Sequence, residues 1–232
     1  MDRLEAWWIL AGVPGWGVKR VQHMVRQAGS LELAVELALD HIPNTDHWLC
    51  ERLEVLRSEK IRGSWVIAWD SADYPQMWRE LPDPPLVVFG RGEACKMANS
   101  DCHVAVVGTR NCTAEARHVA FKLGKALAQR RAIVVSGLAR GIDAAALRGA
   151  CYVGCRTLGI LGTGVGSVQP QSSIPISKRM MELGGAIISE RPSGMPVHGW
   201  HFAARNRLVV SLSDAVVVCL LYTSDAADDT SG

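Results

Sequence analysis

Two neighbouring stretches decide the fold: Val104-Ala105-Val106-Val107-Gly108-Thr109-Arg110, and Ala132-Ile133-Val134-Val135-Ser136-Gly137-Leu138-Ala139-Arg140-Gly141-Ile142-Asp143. Each opens on an unbroken apolar run rich in β-branched residues, the pattern of a strand covered on both faces. Between them Thr113 is placed to cap a helix running to Arg130, with Ala116, Val119, Ala120, Leu123 and Leu127 on one face. The same alternation continues downstream. A helix starts near Asp143, Thr157 to Leu161 is a third strand, and a helix covers roughly 176–183. Ala186 to Ser189 is a fourth strand, a helix runs near 203–212, and Ala215 to Val218 is a fifth strand. Apolar strands alternating with amphipathic helices predict an α/β chain with a doubly wound, mostly parallel sheet. In such sheets the first strand is normally central, which would put Arg110 in the middle of a crevice.

Upstream the texture is helical. Apolar residues from Trp7 to Leu10 lead into Val13-Pro14-Gly15-Trp16-Gly17, then a second helix passes through Met24 and Val25. A Pro-Gly-x-Gly turn between short helices is a helix-hairpin-helix pattern, in which glycines let the backbone approach a phosphate; an ordinary tight turn would read the same way. Leu31 to Leu39 and Trp48 to Ile61 continue as helices, and Trp65 to Trp69 and Leu86 to Gly90 read as strands around the breaker Pro82-Asp83-Pro84-Pro85. The expected organisation is a small helical helix-hairpin-helix/SAM-like domain over 1–62 and a Rossmann-like domain over 63–218, incomplete at its C-terminus. Residues 219–232 change texture abruptly, carry three acidic and no basic residues, resemble a translated sequencing adapter, and are expected to be a non-native tail.

Composition narrows the class. The apolar runs, such as Ala215 to Leu221, are far shorter than a bilayer span, and no secretory leader opens the chain, so the expected location is cytoplasmic, without membrane attachment. Seven scattered cysteines form no CxxC pair; Cys151 and Cys155 lie four apart without a second pair, and His198 and His201 have no accompanying ligand cluster. The expectation is reduced thiols and no metal. Net charge is only +2, but residues 1–103 carry −4 and residues 104–218 carry +9. A basic segment of that size points to a polyanionic partner.

Ligands in an open parallel sheet bind beyond the carboxyl ends of the strands. Those ends read Gly108-Thr109-Arg110, Ser136-Gly137-Leu138-Ala139-Arg140-Gly141, Gly162-Thr163-Gly164 and Ser189-Glu190-Arg191, and Arg205-Asn206-Arg207 lies on the last helix. Glycine and helix-start amides with arginine forks suit phosphates. Ordinary turns, and pairing of Arg205 or Arg207 with Glu190 or Asp214, are the plain alternatives. A dinucleotide cofactor fits poorly, because no GxGxxG follows the first strand and Pro170 and Pro175 follow Gly162-x-Gly164-x-Gly166. No catalytic triad, metal cluster or Walker-type loop is visible. Asp143 reads as a helix N-cap and Glu190 as a partner for an arginine, so a binding module without cofactor outranks an enzyme. Phe202 and Trp200, close to Arg205, could stack on bases or belong to the core.

These ordered motifs, with Tyr74-Pro75, Asp83-Pro84-Pro85 and Gly90-Arg91-Gly92 upstream, resemble the DprA/Smf family over about residues 5–218. The resemblance implies a protein that binds and protects incoming single-stranded DNA and loads the RecA recombinase in natural transformation, as a homodimer when intact. It maps the DNA pocket to Gly108, Thr109, Arg110, Ser136, Gly137, Arg140, Gly141, Arg205, Asn206 and Arg207. Departures stand at Leu147, where the family commonly has His, at Gln169 before Pro170, and at Ala203. The alternative is a LOG-like Rossmann enzyme that cleaves nucleoside monophosphates, whose Pro-Gly-Gly-x-Gly-Thr loop is missing here.

Overall fold

A computed structural model describes residues 1–93 and 102–219. It divides into two compact units at Phe89/Gly90. Residues 220–232, most of the expected tail, lie outside the described residues, while Cys219 closes the last strand.

The first unit holds α1 (Arg3–Ala11), α2 (Val18–Ala28), α3 (Leu31–Leu39), α4 (Thr45–Ile61), β1 (Trp65–Ala68), a short α5 (Gln76–Arg79) and the first part of β2 (Val87–Gly92). A capping box starts α1: Glu5 N–H donates to Asp2 Oδ1 at 2.7 Å and Asp2 N–H to Glu5 Oε2 at 2.9 Å. Ala6 to Leu10 are all buried, so α1 is the central helix of the unit. Trp7 meets Trp69 with ring centroids 5.5 Å apart, and Trp8 meets Phe89 edge-on at 5.3 Å. Arg52 of α4 lays its guanidinium 3.6 Å over Trp8 and donates to the Trp8 carbonyl, while Trp8 Nε1–H donates to the Arg52 carbonyl at 2.7 Å. Gly12 follows α1 as its C-cap, and that guanidinium occupies the space a Cβ would take there. These contacts tie β1 and the start of β2 to the helices. The longest helix, α4, ends at Ile61, and the compact unit runs on through β1 and α5 to Phe89.

The second unit contains β3 (His103–Gly108), α6 (Ala114–Gln129), β4 (Ile133–Ser136), α7 (Ile142–Tyr152), β5 (Thr157–Ile160), α8 (Ile174–Glu182), β6 (Ala186–Ser189), α9 (Gly199–Ser211) and β7 (Ala215–Cys219). Its strands follow the end of β2 in the order β6-β5-β4-β3-β7, and every pair from β6 to β7 is parallel. The α/β doubly wound class is thus observed. Three crossovers run from β3 through β6 in one direction; right-handedness puts α6, α7 and α8 on one face. The return through α9 to β7 reverses direction and lands on the other. β3 is therefore next to the last described strand and not central, but the reversal makes its carboxyl end a topological switch point. Mutual bonds of His103 and Asp214, each backbone-anchored at 2.8 Å, start β3 and β7 in register.

On α6 the buried stripe is Ala120, Gly124 and Ala128, and Val119, expected on that face, is 60% exposed. The reason is the close approach of α7: a Cβ on Gly124 would strike the Ala146 carbonyl, and one on Gly149 the Phe121 carbonyl. Small residues, more than large apolar ones, define the contact.

Candidate nucleic-acid interface

The site grows from the loops at the carboxyl ends of β3 and β4. Ser136, fully buried, donates its hydroxyl to the Val106 carbonyl at 2.6 Å, locking the two strand ends together. Asp143 then bridges them: its Oδ1 accepts from Gly108 N–H at 3.3 Å and its Oδ2 from Gly137 N–H at 3.1 Å. Asp143 is not the helix cap; that position is Gly141, at φ +82° and ψ −124°, a conformation in effect reserved for glycine. A Cβ there would also collide with the Thr109 carbonyl. Leu138 takes φ +58° with its side chain fully buried, and its carbonyl accepts from Ser173 Oγ at 2.8 Å. The loop from 137 to 141 is therefore a rigid shelf.

Arg205 crosses this shelf. It is 4% exposed, donates to the Ile160 carbonyl, and lies so close to Gly137 that any Cβ there would strike its guanidinium. Burial pushes the Asp143 carboxyl up from its ordinary value, against the pull of Arg205 and the amides of Ala139, Gly108 and Gly137. Burial likewise lowers the Arg205 guanidinium, with Asp143 opposing. Arg205 is thus the internal counter-charge of Asp143. Arg207 pairs with Glu190 at 2.7 Å. Two of the three residues expected from the Arg-Asn-Arg stretch therefore face protein partners, and Ser136 spends its hydroxyl within the sheet.

What remains open is Arg110, Arg140 and Asn206, all exposed. Arg110, Arg140, Gly137, Phe202 and Arg205 wall a cleft of about 360 Å³. An adjoining recess shares Arg110, Phe202 and Arg205 and reaches Gly108 and Asn206. Arg110 holds its guanidinium 5.7 Å over the Phe202 ring. Thr109 is buried, with its hydroxyl turned to Asn111. The cleft thus offers a glycine shelf, two exposed guanidinium forks and an aromatic face, a set suited to phosphates and bases.

The sequence undervalued several parts. Asp143 read as a cap because an Asp at a helix start usually is one; only its reach to two strand ends shows otherwise. The glycines after β5 serve packing: a Cβ on Gly162 would press on Phe202, and one on Gly164 would strike the Pro192 carbonyl. They seat α9 and the loop before it.

Fold and cleft together define a doubly wound α/β protein with a cationic crevice at the switch point of its sheet. The chain belongs to the DNA recombination-mediator protein A family, whose model matches residues 65–225. It is similar to DNA processing protein DprA of Bacillus subtilis, 30% identical over 164 residues that cover 71% of this chain and 54% of the relative. The putative DNA processing protein DprA of Mycobacterium tuberculosis is 37% identical over 235 residues, covering 92% and 59%. The chain spans little more than half the length of these curated relatives. In fold it resembles DprA of Streptococcus pneumoniae, with TM-score 0.72 and 23% identity over 96% of this chain and 79% of that one. It also resembles DNA processing protein A of Helicobacter pylori, a structure described for its single-stranded DNA binding mode, with TM-score 0.59 and 27% identity over 67% and 68%. Among the described residues no helix is long and apolar enough to cross a membrane, and no three metal-capable side chains gather.

Proposed function

We propose that this chain binds single-stranded DNA in the cleft between the β3, β4 and α9 loops, with Arg110 and Arg140 on the phosphates, Asn206 presenting a further polar contact, and Gly108, Gly137 and Gly141 keeping the shelf free of side chains so that the strand can come close. The observation that carries the reading is the pair of exposed guanidinium groups over a glycine shelf already braced by Asp143 and Arg205. Buried Arg205 and paired Arg207 act on DNA through the shelf and the start of α9 rather than by direct contact. The role is binding without catalysis: the carboxylates at these strand ends, Asp143 and Glu190, are committed to internal partners, so neither serves as a general base. As the family resemblance implies, a cytoplasmic homodimer would shield incoming DNA and load RecA in natural transformation.

Arg110→Ala tests the pocket. Binding of a labelled oligothymidylate should weaken by ~1.5–3 kcal/mol, the range for charge-assisted hydrogen bonds, while thermal unfolding is unchanged. Arg117→Ala, exposed on α6 and not among the residues that wall the cleft, is the control and should have little effect. Equal weakening by both would replace the pocket with a diffuse basic surface.

A further inference from the structure

The first turn of α9 carries two aromatic residues, and each has an arginine from a different strand end above it. Phe202 lies under Arg110, which follows β3; Trp200 lies under Arg191, which follows β6, with the guanidinium 5.1 Å from the ring centroid. Trp200 is 62% exposed, although its ring also packs edge-on against buried His201 at 4.1 Å. A tryptophan held this firmly yet left largely in water is unusual for a residue whose role is packing alone.

The setting is rigid. His198 N–H donates to His201 Nδ1 at 3.1 Å, fixing the start of the helix. The loop carrying Arg191 is seated on the glycines after β5, where Gly166 N–H donates to Ser193 Oγ at 2.9 Å. Glu190 is bound to Arg207, so the carboxylate nearest in sequence to Arg191 is already paired. Trp200 adjoins Gly199, which lines the recess shared with Arg110. Three strand spacings of about 4.8 Å separate the ends of β3 and β6, so the two arginine–aromatic pairs stand apart along the carboxyl edge of the same sheet.

We infer that Trp200, with Arg191 over it, is a stacking station for an unpaired nucleobase, a second one beside Phe202. The inference rests on the DNA reading above and predicts a preference for single strands. In a duplex each base face is covered by its neighbours, and an exposed indole has nothing to stack on. In a single strand any base can lie on it while Arg191 meets the adjoining phosphate. Because every base has a π-face, the station selects strandedness and not sequence.

The test uses the full chain and two oligonucleotides of equal length and charge, one of thymidylate and one of abasic tetrahydrofuran units. Wild type should bind thymidylate more tightly than the abasic strand. Trp200→Ala should weaken thymidylate binding about 10-fold and leave the abasic affinity nearly unchanged, whereas Trp200→Phe, which keeps an aromatic face, should retain most of the preference. Equal loss on both strands, or an unchanged preference in Trp200→Ala, overturns the station while leaving the phosphate cleft standing. Failure of wild type to bind either strand overturns the DNA reading and the station with it.

Discussion

Asp143 organises the site from inside, because one buried carboxylate receives the amides of two strand ends and faces the guanidinium that fills Gly137's missing side chain. Removing it leaves Arg205 buried without a counter-charge and two amides without an acceptor. Asp143→Ala should therefore cost ~3–5 kcal/mol in urea unfolding, as expected for breaking a buried pair from one side. Its pH dependence has a defined sign. Burial raises the native pKa, so the native state holds this proton where the unfolded carboxyl has released it. Stability from this group falls as pH climbs from the ordinary carboxylate value through the raised native one, and is flat above it. The stability gap between wild type and Asp143→Ala should accordingly widen between about pH 7 and about pH 4.5. A gap that closes on acidification would mean that Arg205 outweighs burial and the carboxyl is held low.

At the scale of elements, strands were legible because fully apolar runs admit little else, and Thr113 announced α6 by its side chain: its hydroxyl accepts from Ala116 N–H at 3.2 Å. The start of α9 was not legible at Ala203. It begins at Gly199, since histidines 198 and 201 build a cap that a Gly- and His-containing stretch does not advertise. Likewise the α6–α7 contact is made by glycines, invisible to a search for large apolar faces. In the first unit the decisive pairing is equally hidden, because Arg52 reads as a surface charge yet stacks on Trp8. Its guanidinium is lowered to about 10 by burial and so stays charged at neutral pH. Arg52→Ala should destabilise α1–α4 docking by ~2–4 kcal/mol, combining a desolvated cation–π contact with a charged hydrogen bond. Arg52→Lys should recover only part, lacking the planar fork. Thermal unfolding followed by tryptophan fluorescence reads the effect, and a loss below about 0.5 kcal/mol would reduce the stack to a surface contact.

For the whole molecule the question is how much of the +9 carried by residues 104–218 acts on a bound strand. Many of these cations are exposed and are not among the residues that wall the cleft: Arg117 and Lys122 on α6, Arg130 and Arg131 at its end, Arg148 on α7 and Arg179 on α8. Others are spent internally, Arg205 on the Ile160 carbonyl and Arg207 on Glu190. Of the remaining cations, Arg110 and Arg140 wall the cleft and Arg191 stands over Trp200. Each phosphate neutralised on a single strand contributes about −0.7 to the slope of log K against log[salt], so three contacts give a slope of about −2. A strand spread over some ten surface cations would give about −7. Titrations of oligothymidylate from low to moderate salt separate these regimes. Within the shallow one, Arg110→Ala should reduce the slope by about 0.7 and Arg117→Ala should not change it. A steep slope indifferent to Arg110 would assign the affinity to the basic face as a whole, and the braced shelf of Gly137 to Gly141 would then be a device of folding and not of binding.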